Sequence, residues 1–259
     1  MELNYYAIDQ HLEELREKRT GIAHSVTNGF DEKWDVSWIY HDNALEGVVL
    51  SYHELKAAID KKIISDVSLI PMYEEIKNHK AAIEWVREFA GQPAKRRKGA
   101  ITVDTLKQLY AMVTPDEAAK GSPYRKDNPL HRLYFHEISP PDKITARMKK
   151  LTEWLEEDEA QHLHPVERAA RAHFRFMAIF PWTKNSGKVA RLFMNLLLLR
   201  DGYPPAVIHT IDRQRYYDVL RSEGAGLVPL VYETVDNGID TATRFFEELR
   251  EARRSRRAS

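Results

Sequence analysis

The 259-residue chain contains no cysteine, which excludes disulfide cross-links and thiolate chemistry. It has no apolar run approaching the roughly 20 residues that span a bilayer. Its start, Met1-Glu-Leu-Asn-Tyr-Tyr, lacks the basic and apolar regions of a signal peptide. The sequence therefore reads as cytoplasmic, with no membrane partner. Net charge is missing too: 39 basic residues balance 39 acidic ones, which argues against a general grip on nucleic acid. Linkers rich in Pro, Gly and Ser are absent, and the length suits one main domain with added helices.

What is present is helical periodicity. Helices are expected near residues 6–18, 31–45, 52–62, 71–91, 102–114, 141–157, 164–179, 186–200, 212–222 and 228–252. Strand signal is confined to 124–141, where Leu133 and Phe135 alternate with Tyr134 and His136. On the helix over 164–179, Val166, Ala170, His173 and Met177 share an apolar face, while His164, Arg168, Arg171 and Arg175 form a wet one. Pro93 with Lys95-Arg-Arg-Lys98 marks an exposed joint. Arg253-Arg-Ser-Arg-Arg257 reads as a frayed, solvated tail.

The most informative window is Phe180-Pro-Trp-Thr-Lys-Asn-Ser-Gly-Lys-Val-Ala-Arg191-Leu-Phe-Met-Asn195, a helix end, a compact polar turn and a new helix. A helix starting at Asn185 or Ser186 leaves its first N–H groups unpaired, and both side chains are good caps. With the helix dipole and Lys188 in the first turn, such an end favours an anion. Lys188, Arg191 and Asn195 fall on one face; Val189, Leu192, Phe193 and Leu196 fall on the buried one. The same pattern fits a capped core helix whose Arg191 pairs with an acidic neighbour. A P-loop fits poorly, because the opening glycine and the preceding strand are missing.

This window resembles the signature of the Fic (fido) family, His-Pro-Phe-x-(Asp/Glu)-Gly-Asn-Gly-Arg-x-x-Arg, whose members transfer AMP from ATP to protein hydroxyls. Pro181, Gly187, Arg191, Leu192 and Asn195 match, with Trp182 an aromatic substitute. Phe180 stands at the general-base histidine, Thr183 or Lys184 at the magnesium-binding carboxylate, Asn185-Ser186 at Gly-Asn, and Lys188 at the first arginine. Further along, Ile39-Tyr-His-Asp-Asn-Ala-Leu-Glu46-Gly47 resembles the family's N-terminal inhibitory-helix motif, with Asp42 in the Ser/Thr position. The resemblance implies that Glu46 pairs with Arg191, and that removing Glu46 frees the arginine for a triphosphate. Tyr124 to Pro141 resembles the flap that aligns a target protein; Leu133, Tyr134, Phe135 and His136 are its implied target-binding residues. Ile211 to Leu220 resembles the helix whose tyrosine pair, here Tyr216 and Tyr217, lies near the adenine.

The implied fold is all-α, a helical bundle around a central signature helix with a short β-hairpin flap. Its parts are an N-terminal helical region with the inhibitory motif (1–95), a Fic-like core (96–252) and a disordered basic tail (253–259). The implied phosphate or nucleotide site is Asn185, Ser186, Gly187, Lys188, Arg191, Asn195, Tyr216 and Tyr217, with ATP or another nucleotide as ligand. Magnesium binding is weakened or lost, and no metal ligand is assigned. Phenylalanine has no lone pair to accept a proton, and general-base help is typically worth about a hundred- to ten-thousand-fold. His173, about 10 Å upstream of Phe180 by helix rise, is too far to replace it; His131 and His136 on the flap are better placed. The expectation is a degenerate Fic-fold protein that binds a nucleotide and a protein partner with little or no AMP transfer. Two alternatives stand beside it: a divergent transferase clamping its donor with Lys188 and Arg191, and a structural or regulatory partner that binds no nucleotide. A homodimer is a further partner expectation.

Overall fold

A computed structural model describes residues 3–60, 67–93, 99–121, 123–129 and 137–258. Twelve α-helices and no strand occur among the described residues. The flap residues Leu133, Tyr134, Phe135 and His136, together with His131 and the 95–98 joint, lie outside them.

The N-terminal helices are α1 (Tyr5–Arg19), α2 (His24–Leu45), α3 (Tyr52–Ile59) and α4 (Ile70–Gly91). Asn4 caps α1 by accepting the Ala7 N–H, and Ile8, Leu12 and Leu15 bury one face. Helix α2 starts a full two turns before residue 31, because Gly29 lies inside it. One internal glycine costs about 1 kcal/mol of helix propensity, and burial of Trp38 and Ile39 offsets that. A capping box of Ser51 and Glu54 opens α3.

Next come α5 (Val103–Val113), opened by Thr102 and Thr105, the short α6 (Pro115–Ala118), α7 (Ile144–Trp154) and α8 (Asp158–His162). The single helix expected over 141–157 is shorter: a 3₁₀ turn covers Pro141–Lys143, and α7 ends at Trp154. Then follow α9 (Pro165–Ile179), α10 (Ser186–Arg200), α11 (Arg213–Arg221) and α12 (Leu227–Ala258). The basic tail is a correction: α12 runs on through Ala258 where a frayed end was expected. Alanine, arginine and glutamate there are good helix formers, and Ser255 Oγ bonds the Glu251 carbonyl 3.1 Å away.

Helix α10 lies at the centre, with all but Leu199 of its residues buried, and packs on α9, α4 and α5. Helices α1 and α12 pair and cover α9 on one side, while α7 packs on α9 as well. One apolar cluster runs from Ile8 to Phe246 and includes residues from both sides of the expected joint. No described helix is long and apolar enough to cross a membrane.

Candidate functional site

Two left-handed residues shape the turn between α9 and α10. Phe180 (φ 48°) ends α9 and Asn185 (φ 58°) opens α10. Asparagine tolerates this conformation; phenylalanine does so at a cost of roughly 1–2 kcal/mol. Arg125 holds Phe180 in place. Its Nε donates to the Phe180 carbonyl at 2.7 Å, its Nη2 donates to the carbonyls of Ser139 and Ile179, and its own N–H bonds the Pro181 carbonyl at 3.0 Å. Arg125 is buried, and the sequence reading passed over it. The Phe180 ring is buried too. Trp182 stacks on Tyr110 with ring centroids 4.1 Å apart and planes 2° from parallel.

The expected caps are not formed by side chains. Asn185 Nδ2 points back to the Val113 carbonyl (3.3 Å) and Thr114 Oγ1 (3.0 Å). Ser186 Oγ accepts the Trp182 N–H at 2.9 Å and donates to its carbonyl at 2.7 Å. Both polar groups fasten the turn, and α10 begins without a side-chain cap. The first-turn amides, including that of Gly187, thus keep the orientation that suits an anion. Thr183 and Lys184 are exposed.

The cations of α10 face inward onto acids. Lys188 Nζ donates to Asn43 Oδ1 (3.1 Å) on α2 and to Glu75 Oε1 (2.5 Å) on α4, and is 1% exposed. Arg191, also 1% exposed, donates from Nε to Asp42 Oδ1 and from Nη2 to Glu46 Oε1 at 2.7 Å. Its Nη1 is buried with no hydrogen-bond partner among the described residues. The Glu46 contact implied by the resemblance is thus present, and Gly47 turns the chain immediately after it with φ 90°.

Asp42 is the partner that sequence reasoning undervalued. It precedes Glu46 by four residues, one helical turn, so both carboxylates share a face of α2. Its other oxygen stands 3.2 Å from Nε2 of the fully buried His79. Burial pushes the Asp42 carboxyl up, but the Arg191 charge, aided by His79, pulls it down to about 2. Burial holds the His79 pKa low. A spacing of four between Asp42 and Glu46, and again between Glu75 and His79, was the available signal. Arg191 thus has a second carboxylate partner besides Glu46, one that the resemblance did not imply.

Of the remaining candidates, Asn195 sits apart from the cations' acids, while Tyr216 and Tyr217 lie beside them. Asn195 forms a two-way clamp on Ala206, accepting its N–H at 2.8 Å and donating to its carbonyl at 3.2 Å. Tyr216 is fully buried, its hydroxyl 2.9 Å from His173 Nε2 and its ring 6.0 Å from the Arg191 guanidinium. Burial pushes its phenol up to about 12 against the opposing charge of Arg191. Tyr217 donates to the Leu45 carbonyl at 2.8 Å, beside Arg213 on the same oxygen. Burial, reinforced by Glu46, raises the Tyr217 phenol. The structure thus brings Arg191, Glu46, Tyr216 and Tyr217 together. Asn185 and Ser186 are engaged with the turn, and Asn195 with the chain after α10.

A central buried helix, entered through a proline-containing turn and overlaid by an acidic N-terminal helix, defines an all-α domain of the Fic type. Residues 100–198 match the family model described as Fic/DOC family, so this part of the chain is a Fic domain. It is 29% identical over 192 residues to a protein adenylyltransferase Fic of Nematostella vectensis, covering 73% of this chain and 43% of that protein. It is 27% identical over 228 residues to one of Culex quinquefasciatus, covering 85% and 44%. The chain spans less than half the length of these curated relatives. Among solved structures, a Fic-domain-containing signaling protein from Bacteroides thetaiotaomicron superposes with a TM-score of 0.78 at 24% identity, covering 93% of this chain and 97% of that one. Fic-1 of C. elegans (residues 134–508) gives 0.76 at 20%, covering 96% and 73%. At these identities the structural likenesses establish the fold.

Proposed function

We propose that this chain is a degenerate relative of the Fic adenylyltransferases, one that engages a protein partner and carries out little or no AMP transfer. The observation that carries the reading is the state of the signature itself. At the general-base position stands a buried phenyl ring, and the two cations that follow are bound to Glu75, Asp42 and Glu46.

A nucleotide fits this site in part. The uncapped amides at the start of α10 suit a phosphate. The side-chain donors do not, because Lys188 and Arg191 direct their hydrogen bonds at protein carboxylates. Binding of a triphosphate would have to displace both Asp42 and Glu46 from Arg191. A magnesium ion fits worse: Lys184 places an exposed ammonium where a carboxylate ligand would be needed. Glu46, with Asp42 behind it, takes the part of an inhibitory residue in this reading. In this reading the partner site includes Leu133 to His136, which lie outside the described residues.

The test is direct. Incubated with ATP and magnesium or manganese, alone and with candidate targets, the protein should yield no AMP adduct by intact mass. Robust transfer would overturn the reading and favour a divergent transferase, a reading that the names of the relatives support; Lys188→Ala should then abolish turnover. A thermal-shift titration with millimolar ATP separates the remaining possibilities, since a ligand of the native state must raise its stability. Stabilisation supports a nucleotide-holding domain; none supports a partner protein that binds no nucleotide.

A further inference from the structure

Away from the signature, the outer edge of α9 meets α7 in a groove whose charge is one-sided. A cavity of about 240 Å³ there has three cations at its rim, Arg147, Lys150 and Arg175, over an apolar floor of Leu151, Phe174 and Ile179, and no carboxylate lines it. In a chain with 39 basic and 39 acidic residues, such a stretch is a local imbalance.

The neighbouring cations show the contrast. Lys149 pairs with Glu153 at 3.5 Å, Arg171 with Glu167 at 2.6 Å and Arg168 with Asp201 at 2.6 Å. Arg147, Lys150 and Arg175 form no ion pair among the described residues. Arg175 lies with its guanidinium 4.3 Å above the Trp154 ring, a contact that orients the group without neutralising it. Arg147 Nη1 donates to Ser139 Oγ at 2.7 Å, a neutral partner. An adjoining cavity of about 410 Å³ shares Phe174 and Arg175 and adds Arg171 and Glu223, so Arg175 marks the edge of the acid-free stretch that runs to Arg147 and Lys150.

Position gives the groove its meaning. Ser139 runs along the end of α9, its N–H bonding the Ala178 carbonyl at 2.9 Å. The groove therefore begins beside Ser139, on the segment that leads into α7.

We infer that the α7–α9 groove docks an acidic segment of the protein partner, seating an apolar side chain on Phe174 and Leu151 between carboxylates held by Arg147, Lys150 and Arg175. The inference deepens the partner-binding reading above by giving the partner's chemistry. Charge complementarity selects an acidic occupant, and the apolar floor selects a peptide over a sugar–phosphate backbone.

Fluorescence anisotropy with the labelled peptide Glu-Glu-Leu-Glu-Glu-Phe-Glu-Glu at about 0.15 M salt tests it, where long-range attraction is largely screened. The intact chain should bind the peptide, and Lys150→Glu/Arg175→Glu should weaken binding by at least about tenfold, as charge reversal at a complementary interface does. Lys77→Glu, an exposed reversal on α4, should leave it unchanged. No binding up to about 1 mM peptide, an equal loss with Lys77→Glu, or tighter binding of a single-stranded RNA of similar length would overturn the inference. Melting curves of each variant confirm folding; if the double reversal unfolds, Lys150→Gln/Arg175→Gln takes its place with the same criterion. The peptide touches nothing between residues 180 and 195. A failed titration thus removes the groove while leaving the nucleotide reading intact, and a missing response to ATP leaves the groove intact.

Discussion

At the scale of single residues, two positions decide what the signature can do. On the proposed reading Phe180 stands where a proton acceptor would be needed, and its left-handed backbone is fixed through Arg125. On the same reading Phe180→His should restore at most a trace of AMP transfer, because neither Thr183 nor Lys184 supplies the metal-binding carboxylate and Arg191 stays bound; full activity in an AMP-transfer assay of this variant would show that the missing carboxylate is dispensable. Asp42 is the second. Taking one partner from a buried ion pair strands the other charge, which typically costs 3–5 kcal/mol. Asp42→Ala leaves Arg191 with Glu46 alone, so it should lower the unfolding free energy by up to about that amount in urea titrations. Glu46→Ala should cost less, because Glu46 keeps 19% side-chain exposure and water can reach its place. An equal loss from both would mean that Asp42 has no special share in holding Arg191.

At the scale of elements, α10 is held at three points: its amino-terminal turn by Asn185 and Ser186, its middle by the acids of α2 and α4, and its far end by Asn195. Asn195 clamps both backbone groups of Ala206 inside the core. Asn195→Ala leaves two buried groups unpaired at about 1–3 kcal/mol each, so calorimetry should show a drop of several degrees in Tm. A change within error would assign Ala206 another partner. The element pattern itself was legible: apolar spacing located most of the helices. Its failures have physical causes. Helix α2 begins at His24, ahead of the expected residue 31, and runs through Gly29, and the arginine-rich end looked frayed although its residues favour helix. In the site, the residue types of the turn and the Glu46–Arg191 contact could be anticipated from the motif. The inward direction of Lys188, the two-way clamp of Asn195 and the role of Arg125 could not, since each depends on which distant element faces α10. Arg168, expected on a wet stripe, is buried against Asp201 for the same reason.

At the scale of the whole molecule, stability should fall with acid in two steps. His41 stacks on His209 with centroids 4.2 Å apart and accepts the Thr210 N–H, and burial, with His209 beside it, lowers its pKa to about 4. A histidine with a depressed folded pKa favours the native state above its unfolded value near 6.5. That contribution shrinks as pH falls from about 6.5 to 4. Asp42, with its folded pKa near 2, then loses its contribution between about 4 and 2. Urea titrations across this range should show the first limb flatten in His41→Gln and the second persist; an unaltered first limb would remove His41 as its source.

The same acids explain why a domain of this family can keep its central helix while withholding its cations. Asp42 and Glu46 from α2, with Glu75 from α4, neutralise α10 from within the fold, so its charges stabilise the bundle instead of facing a ligand. Calorimetric titration of ATP with magnesium into the wild type, Glu46→Gly and Asp42→Ser/Glu46→Gly tests this most directly. The account predicts weak and indistinguishable affinity for the first two and at least about tenfold tighter binding, near 1.4 kcal/mol, for the third. Tight binding by Glu46→Gly alone would contradict it.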